Sequence, residues 1–322
     1  MTTPIRWGIL STGGIAATFV DDLRLLPDAV ITAVGSRTEE AAKQFAATHG
    51  IPTAHGSWRA LAEDPEVDVV YVATPHSGHV AATMTVLDAG KAALTEKPVA
   101  LDAAQATGLF DAARERNLFL MEAMWTRFNP VVRRAQELVA AGAIGRVTSV
   151  SADFGFLAPD DETHRLHARA LGGGALLDLG IYPATIAHLF LGPPDEIRAW
   201  ADLGPQGTDR NTAMILGYAS GALASLTCSL VSATPWLAVV AGTDGRIELP
   251  SVMCPQHLTL HRGESTEVID LSYRGKGYHF EAAEVNRCLR EGLTESPTMP
   301  HAESLAVLTT LDRVRAQIGV SY

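Results

Sequence analysis

Short apolar runs alternate with helix-period patterns through the first 122 residues, and this alternation leaves few folds open. Residues 5–10, 29–35, 67–73, 92–95 and 118–121 read as strands. Residues 14–25, 39–48, 79–89 and 103–116 read as the helices between them. The run VDVVYVA at 67–73 is apolar without alternation, as a strand covered on both faces must be. Strands and helices taking turns with short connections predict a parallel sheet with helices on both sides.

Beyond residue 122 the texture changes. A long strand is expected at 147–156, and Gly172-Gly173-Gly174 precedes an apolar helix reaching residue 191. Strand-like runs follow at 197–201, 212–218, 222–230, 237–241 and 258–260, separated by turn residues such as Thr243-Asp244-Gly245. Two helices, 280–291 and 302–318, close the chain. The expected architecture is an α/β nucleotide-binding domain over 1–122 and an α+β domain over 123–322, the latter with a large, mostly antiparallel open sheet.

Charge and cysteine usage narrow the partners. A formal net charge of −11 argues against nucleic acid or an anionic membrane, which need a basic face, but leaves room for a local basic pocket. Cys228, Cys254 and Cys288 are far apart and form no C-x-x-C pair, so neither a metal site nor a disulfide framework is expected. A reduced, cytoplasmic protein is the simplest expectation. No run of 18 uncharged apolar residues suggests a membrane span, and the N-terminus shows no signal-type pattern.

The first strand–helix turn reads Gly8-Ile9-Leu10-Ser11-Thr12-Gly13-Gly14-Ile15-Ala16. A dinucleotide fingerprint needs a tight turn, a bare position under the pyrophosphate and a small residue for helix packing. Gly13 suits the second role and Ala16 the third, while Ser11 stands where the first glycine is usual. Backbone N–H groups of Gly14 and Ile15 would face the phosphates at the helix start. An NAD site expects an acid at the tip of the second strand. The tip here is Ser36-Arg37-Thr38, a guanidinium between two hydroxyls, which suits a 2′-phosphate. NADP is therefore the expected cofactor; the alternative is that Arg37 merely opens the next helix in solvent.

Ligands of parallel sheets lie at the carboxyl ends of strands. Two such ends carry reactive groups: Thr74-Pro75-His76-Ser77-Gly78-His79 and Thr95-Glu96-Lys97-Pro98. Both loops are expected to face the nicotinamide, with His76 and His79 neutral at a helix start. In the second domain Asp178 and Tyr182 stand at i and i+4, one face of an otherwise apolar helix that Pro183 should kink. They read either as chemistry or as a buried hydrogen bond.

The chain resembles the glucose–fructose oxidoreductase / inositol dehydrogenase (Gfo/Idh/MocA) family. Glu96-Lys97-Pro98 after a Rossmann-type strand carries the likeness, with Met121-Glu122-Ala123-Met124-Trp125-Thr126-Arg127-Phe128 and Gly173-Gly174-Ala175-Leu176-Leu177-Asp178-Leu179-Gly180-Ile181-Tyr182. The likeness spans the whole chain and is strongest toward the branch of NADP-dependent dihydrodiol and D-xylose dehydrogenases. It implies an N-terminal Rossmann domain and hydride transfer between a sugar or cyclic diol hydroxyl and NADP. It implies that Lys97 contacts substrate and cofactor, that Tyr182 is the acid/base and that Asp178 supports it. Trp125 and Phe154 would wall the substrate pocket, Trp125 and Arg127 would border the cofactor, and the Lys97–Pro98 bond would be cis. Pairing through the open sheet makes a homodimer the expected assembly. The same residues could reduce keto-sugars, or serve a non-catalytic NADP-bound sensor.

Overall fold

The computed structural model describes residues 3–322, which form two compact units: residues through Trp125 with Arg274–Leu305, and Thr126–Tyr273 with Ala306–Tyr322. The expected cut at 122 falls close to the first crossing, but the first unit is discontinuous. It takes back 274–305 from what reads in sequence as the second domain.

The first unit runs β1 (Ile5–Leu10), α1 (Gly14–Leu23), β2 (Ala29–Gly35), α2 (Glu39–His49), β3 (Thr53–His55), α3 (Trp58–Ala62), β4 (Val69–Val72), α4 (His79–Asp88), β5 (Ala92–Glu96), α5 (Ala103–Glu115) and β6 (Leu120–Ala123). All strands are parallel, in the order β3-β2-β1-β4-β5-β6. Every residue of β4 and β5 is buried, which is why both read as unbroken apolar runs. β3 and α3 escape a reading by period because three and five residues are too few to show one. Thr38, Ser57 and Asp102 cap α2, α3 and α5 by accepting a backbone N–H. The sheet reverses direction of growth between β1 and β4, and the crevice beyond their carboxyl ends is where such sheets hold ligands.

The second unit opens with α6 (Pro130–Ala140), a helix the periodicity did not single out although Asn129-Pro130 announces it. Asn129 Oδ1 accepts from the N–H groups of Val131 and Val132, and Pro130 sits where no N–H is needed. β7 (Val147–Gly155) follows, then α7 (Ile181–Leu191), then β8 (Glu196–Leu203), β9 (Asp209–Gly217), β10 (Leu223–Ser229), β11 (Ala238–Gly242), β12 (Arg246–Leu249), β13 (His257–Arg262) and β14 (Ser265–Asp270). They make one eight-stranded sheet, β14-β13-β12-β11-β7-β10-β9-β8, antiparallel except where β7 meets β10. The inward face is apolar (Val150, Met214, Leu226, Val240) and α7 packs in this unit's core. Residues 169–191, which include Asp178, are long and apolar enough to cross a membrane by length and composition alone, but 83% of the apolar window is buried inside the protein, as in a core helix. The outward face alternates with it: Trp200 is 83% exposed, Leu223 55% and Ile215 45%.

Two helices complete the chain, α8 (Tyr278–Arg290) in the first unit and α9 (His301–Ile318) running from one unit's residues into the other's. α8 is bound to α1 and β1. Asp22 on α1 accepts from the N–H groups of Lys276, Gly277 and Tyr278, and buried Asn286 accepts from the Trp7 indole N–H at 3.0 Å. One carboxylate from another helix thus accepts three successive N–H groups where α8 begins.

Candidate active site

In the first unit the expected cofactor residues gather at the carboxyl ends of β1, β2, β4, β5 and β6. Ser11 follows β1 with φ of +115°, a region L-residues enter at a cost of order 1 kcal/mol, which is the reason a glycine is usual there. Its N–H is tied to Gly35 O at 2.9 Å, so the sharp turn is held despite the side chain. The glycines nearby divide by what surrounds them. A Cβ on Gly35 would stand 2.8 Å from Leu61 Cβ, so packing alone demands that glycine. A Cβ on Gly13 would meet only Ser11 Oγ at 3.8 Å, and one on Gly14 nothing within 4 Å. Chain packing requires neither, whereas a phosphate brought close to the start of α1, at Gly14 and Ile15, would. The residues present therefore fit a dinucleotide.

At the tip of β2 Arg37 is exposed and makes no hydrogen bond or ion pair with the described residues. Ser36 beside it is half-buried, and Thr38 uses its hydroxyl oxygen to cap α2 at Ala41 N–H, leaving its O–H free to donate outward. The guanidinium is thus unspent, as a phosphate-binding group must be before ligand arrives.

Beyond β4, Thr74, Pro75 and His76 turn into α4. His79 departs from expectation: it is fully buried, and its ring nitrogens lie 2.7 Å from Pro98 O and 2.8 Å from Thr74 O. Burial, then the neighbouring His76 ring, pushes its pKa down to about 3, against the pull of the two carbonyl oxygens; the neutral ring donates to one of them. With no exposed surface left for a cofactor, His79 instead joins the loops at Thr74 and Pro98. His76 packs edge-on against it, 5.7 Å between centroids.

Lys97 follows β5, half-buried between buried neighbours, and the Lys97–Pro98 bond is cis. Glu96 points beneath the turn. It accepts from the Tyr71 hydroxyl and from the Lys97 backbone N–H, so it braces the lysine's backbone. Glu122 on β6 accepts from Val99 N–H at 3.0 Å and secures the far side of the same turn. Trp125 is 5% exposed and stacks on Tyr278 at 4.2 Å, with planes 13° apart. Tyr71 and Glu122 went unread as site residues because each sits in a strand run that reads as core, and Tyr278 because it falls in the Gly-rich segment 272–279, which has no clear period.

In the second unit Asp178 and Tyr182 lie 5% and 4% exposed. They do not share one α-helical face. Leu176–Gly180 forms a π turn and α7 begins only at Ile181. Pro183 has no N–H for the carbonyl four residues back, and the ladder widens just before it. Asp178 lies 3.4 Å from Arg165 Nη1, a cation no sequence pattern singled out. Phe154 on β7 is 4% exposed and stands edge-on to both Tyr182 (5.6 Å) and Trp236 (5.1 Å). It sets the Tyr182 ring from behind more than it forms an open wall. Arg127 lies half-buried in the short helical turn of 125–128.

Asp209, fully buried, secures the start of the π turn: Oδ2 accepts from Leu176 N–H at 2.7 Å and from the Thr212 hydroxyl. Burial raises its carboxyl above the usual range. The Tyr322 hydroxyl donates to Gly173 O at 2.6 Å. Asp209 and Tyr322 thereby pin both sides of the glycine turn from which Asp178 and Tyr182 proceed.

Comparison with known proteins gives one answer. Residues 5–124 match the oxidoreductase family with an NAD-binding Rossmann fold, GFO/IDH/MocA, and residues 132–248 match the GFO/IDH/MocA C-terminal domain. The chain is 39% identical to a trans-1,2-dihydrobenzene-1,2-diol dehydrogenase of Xenopus laevis over 98% of its own length and 99% of the relative's. The mouse enzyme of that name is 38% identical, covering 99% and 98%. Among solved structures, a 3-ketoreductase from Actinomadura kijaniata in complex with NADP and TDP-benzene superposes with TM-score 0.88 at 30% identity, covering 98% of each chain. Forms of that ketoreductase with a tyrosine replaced by phenylalanine and with a lysine replaced by alanine are also solved.

Proposed function

The chain belongs to the Gfo/Idh/MocA oxidoreductases, and from that premise we propose that it moves hydride between NADP and a hydroxyl-bearing carbon of a sugar or cyclic diol. The observation that carries the cofactor is Arg37, exposed and unpaired at the tip of β2, where an NAD site would place an acid. The nicotinamide supplies the acceptor for hydride. Lys97 binds the substrate oxygen and orients it. Tyr182 exchanges the hydroxyl proton, with Asp178 and Phe154 fixing its ring. An isolated phenol ionises near ~10, so Tyr182 needs a cation to act near neutral pH, and Lys97 is the proposed one. Trp125 and Arg127 border the cofactor.

The test is NADP+ reduction by the purified protein against aldopyranoses (D-xylose first), inositols and trans-dihydrodiols. Lys97→Met and Tyr182→Phe should each lower turnover by roughly 10²- to 10⁴-fold while NADPH still binds. Unchanged turnover removes that residue from the mechanism. A second reading, reduction of keto-sugars, is favoured by the ketoreductase among the structural relatives and is read by NADPH oxidation on the corresponding ketones. Silence in both directions with NADPH bound would support a sensor instead.

The reading extends to assembly and setting. The flat outward face of the eight-stranded sheet, with Trp200, Leu223 and Ile215 bared, suits a second copy of the chain. Cys228, Cys254 and Cys288 are all free, and burial holds Cys228 and Cys288 protonated, Cys288 pushed up to about 12; unreactive thiols of this kind fit a reducing cytoplasm.

A further inference from the structure

Behind the Lys97 turn the first unit buries more acid than base. Glu96 on β5, Glu122 on β6 and Glu281 on α8 are 5%, 2% and 0% exposed. The first two are spent: Glu96 on the Tyr71 hydroxyl and Lys97 N–H, Glu122 on Val99 N–H. Asp22 on α1, 3% exposed, is spent on the start of α8, with His279 3.7 Å away. Glu281 differs. Neither of its carboxylate oxygens has a hydrogen-bond partner. The described residues include no group of acids and histidines arranged to hold a metal ion, so a cation does not account for it. An ionised carboxyl buried with no protein donor and with three acids facing it is strongly disfavoured. Burial first, then Glu96, Glu122 and Asp22, favour its protonated form.

We propose that Glu281 is a positioning residue of the cofactor-side site: it keeps its proton at neutral pH, so that the turn carrying Lys97 faces two buried carboxylates and not three. It acts through Glu96, the carboxylate that braces the Lys97 backbone. When Glu281 loses its proton, a further negative charge arrives beneath that turn. The extra charge pulls on Lys97 and opposes the anionic dinucleotide at the adjoining strand ends. The groups setting this equilibrium are Glu96 from β5 and Lys97 just after it, Glu122 from β6, Tyr71 from β4, Asp22 from α1, and Tyr278 and His279 from α8 itself. The effect on NADPH rests on the cofactor reading above; the proton on Glu281 does not.

Two measurements on wild type and Glu281→Gln test it, with Glu281→Met as a second neutral variant should the amide fold poorly. Infrared spectra at neutral pH should show a protonated-carboxyl C=O stretch in wild type that both variants lack; a wild type without that band overturns the proposal. NADPH affinity, followed by fluorescence upward from neutral pH to the point where the wild-type infrared band is lost, should fall roughly tenfold further in wild type than in the variants, the size of one unit of coupling between charged sites. Superimposable curves overturn it as well. Failure of every form to bind NADPH would strike the cofactor reading alone, since the infrared band still reports the proton.

Discussion

Arg37 and Glu281 are single residues whose surroundings state what they are for. Arg37 has no internal partner, and substitution by alanine should cost the NADP complex ~1.5–3 kcal/mol, the value of a charge-assisted hydrogen bond, or roughly 10- to 100-fold in affinity. NAD affinity should barely move. Titration of both cofactors against wild type and Arg37→Ala checks this, and equal losses would count against a 2′-phosphate site. Glu281 was legible in principle. On α8 it falls in the buried stripe Tyr278, Glu281, Ala282, Val285, Asn286, an acid at a core position. His79 teaches the opposite lesson. Its place in a βα loop marks it as a ligand contact, and only its full burial between Thr74 O and Pro98 O shows that it serves the loops.

At the scale of the element, the glycine turn and π turn ahead of α7 decide where Asp178 and Tyr182 stand. Gly174 has φ of +128°, and a Cβ there would meet Asp209 Oδ1 at 2.5 Å and Tyr322 Oη at 3.0 Å. Gly174→Ala must therefore displace both groups that pin the turn. Strain and lost contacts of this kind cost about 2–4 kcal/mol. The expected result in urea is destabilisation of that size with turnover falling more than tenfold, while NADPH affinity, a property of the first unit, stays near wild type. Parallel loss of NADPH binding would mean that the turn's effect is not local. The sequence shows three glycines and a helix-compatible pattern here, but the widened turn depends on how Pro183, Gly180 and Asp209 are packed. A Cβ on Gly180 would stand 2.9 Å from Cys228 Sγ on β10.

For the whole molecule, pH and assembly are the accessible readouts. Unfolded, the Glu281 carboxyl ionises around its ordinary 4.5; folded, it stays protonated well above that. Between those limits the native state holds one more proton than the unfolded state, so this group lowers stability as pH rises, by ~1.4 kcal/mol per unit. Below about 4.5 it contributes nothing either way. Glu281→Gln should accordingly gain on wild type in thermal melts as pH climbs from about 5 to about 7; a constant difference across that range would show the carboxyl to be ionised in the fold. Assembly is tested by sedimentation: wild type should run as a dimer, and Trp200→Glu, which puts a charge on the outward sheet face, should shift it to monomer. A wild-type monomer, or a variant dimer unchanged, would place any interface elsewhere.

The amino-acid sequence by itself determines the parallel sheet, the mostly antiparallel second sheet, the strand ends that carry Gly13, Arg37 and Lys97, and the apolar helix that carries Tyr182. It does so because buried strands and amphipathic helices write their periods locally, and the turn chemistry of a phosphate site is local too. Tertiary structure alone decides that 274–305 belong to the first unit and that His79 is a strut. It alone converts the helix start before Pro183 into a π turn and brings Glu281 within electrostatic reach of Glu96 from 185 residues away in sequence. Those outcomes depend on which buried polar groups find partners, and that is settled only when distant segments compete for the same interior.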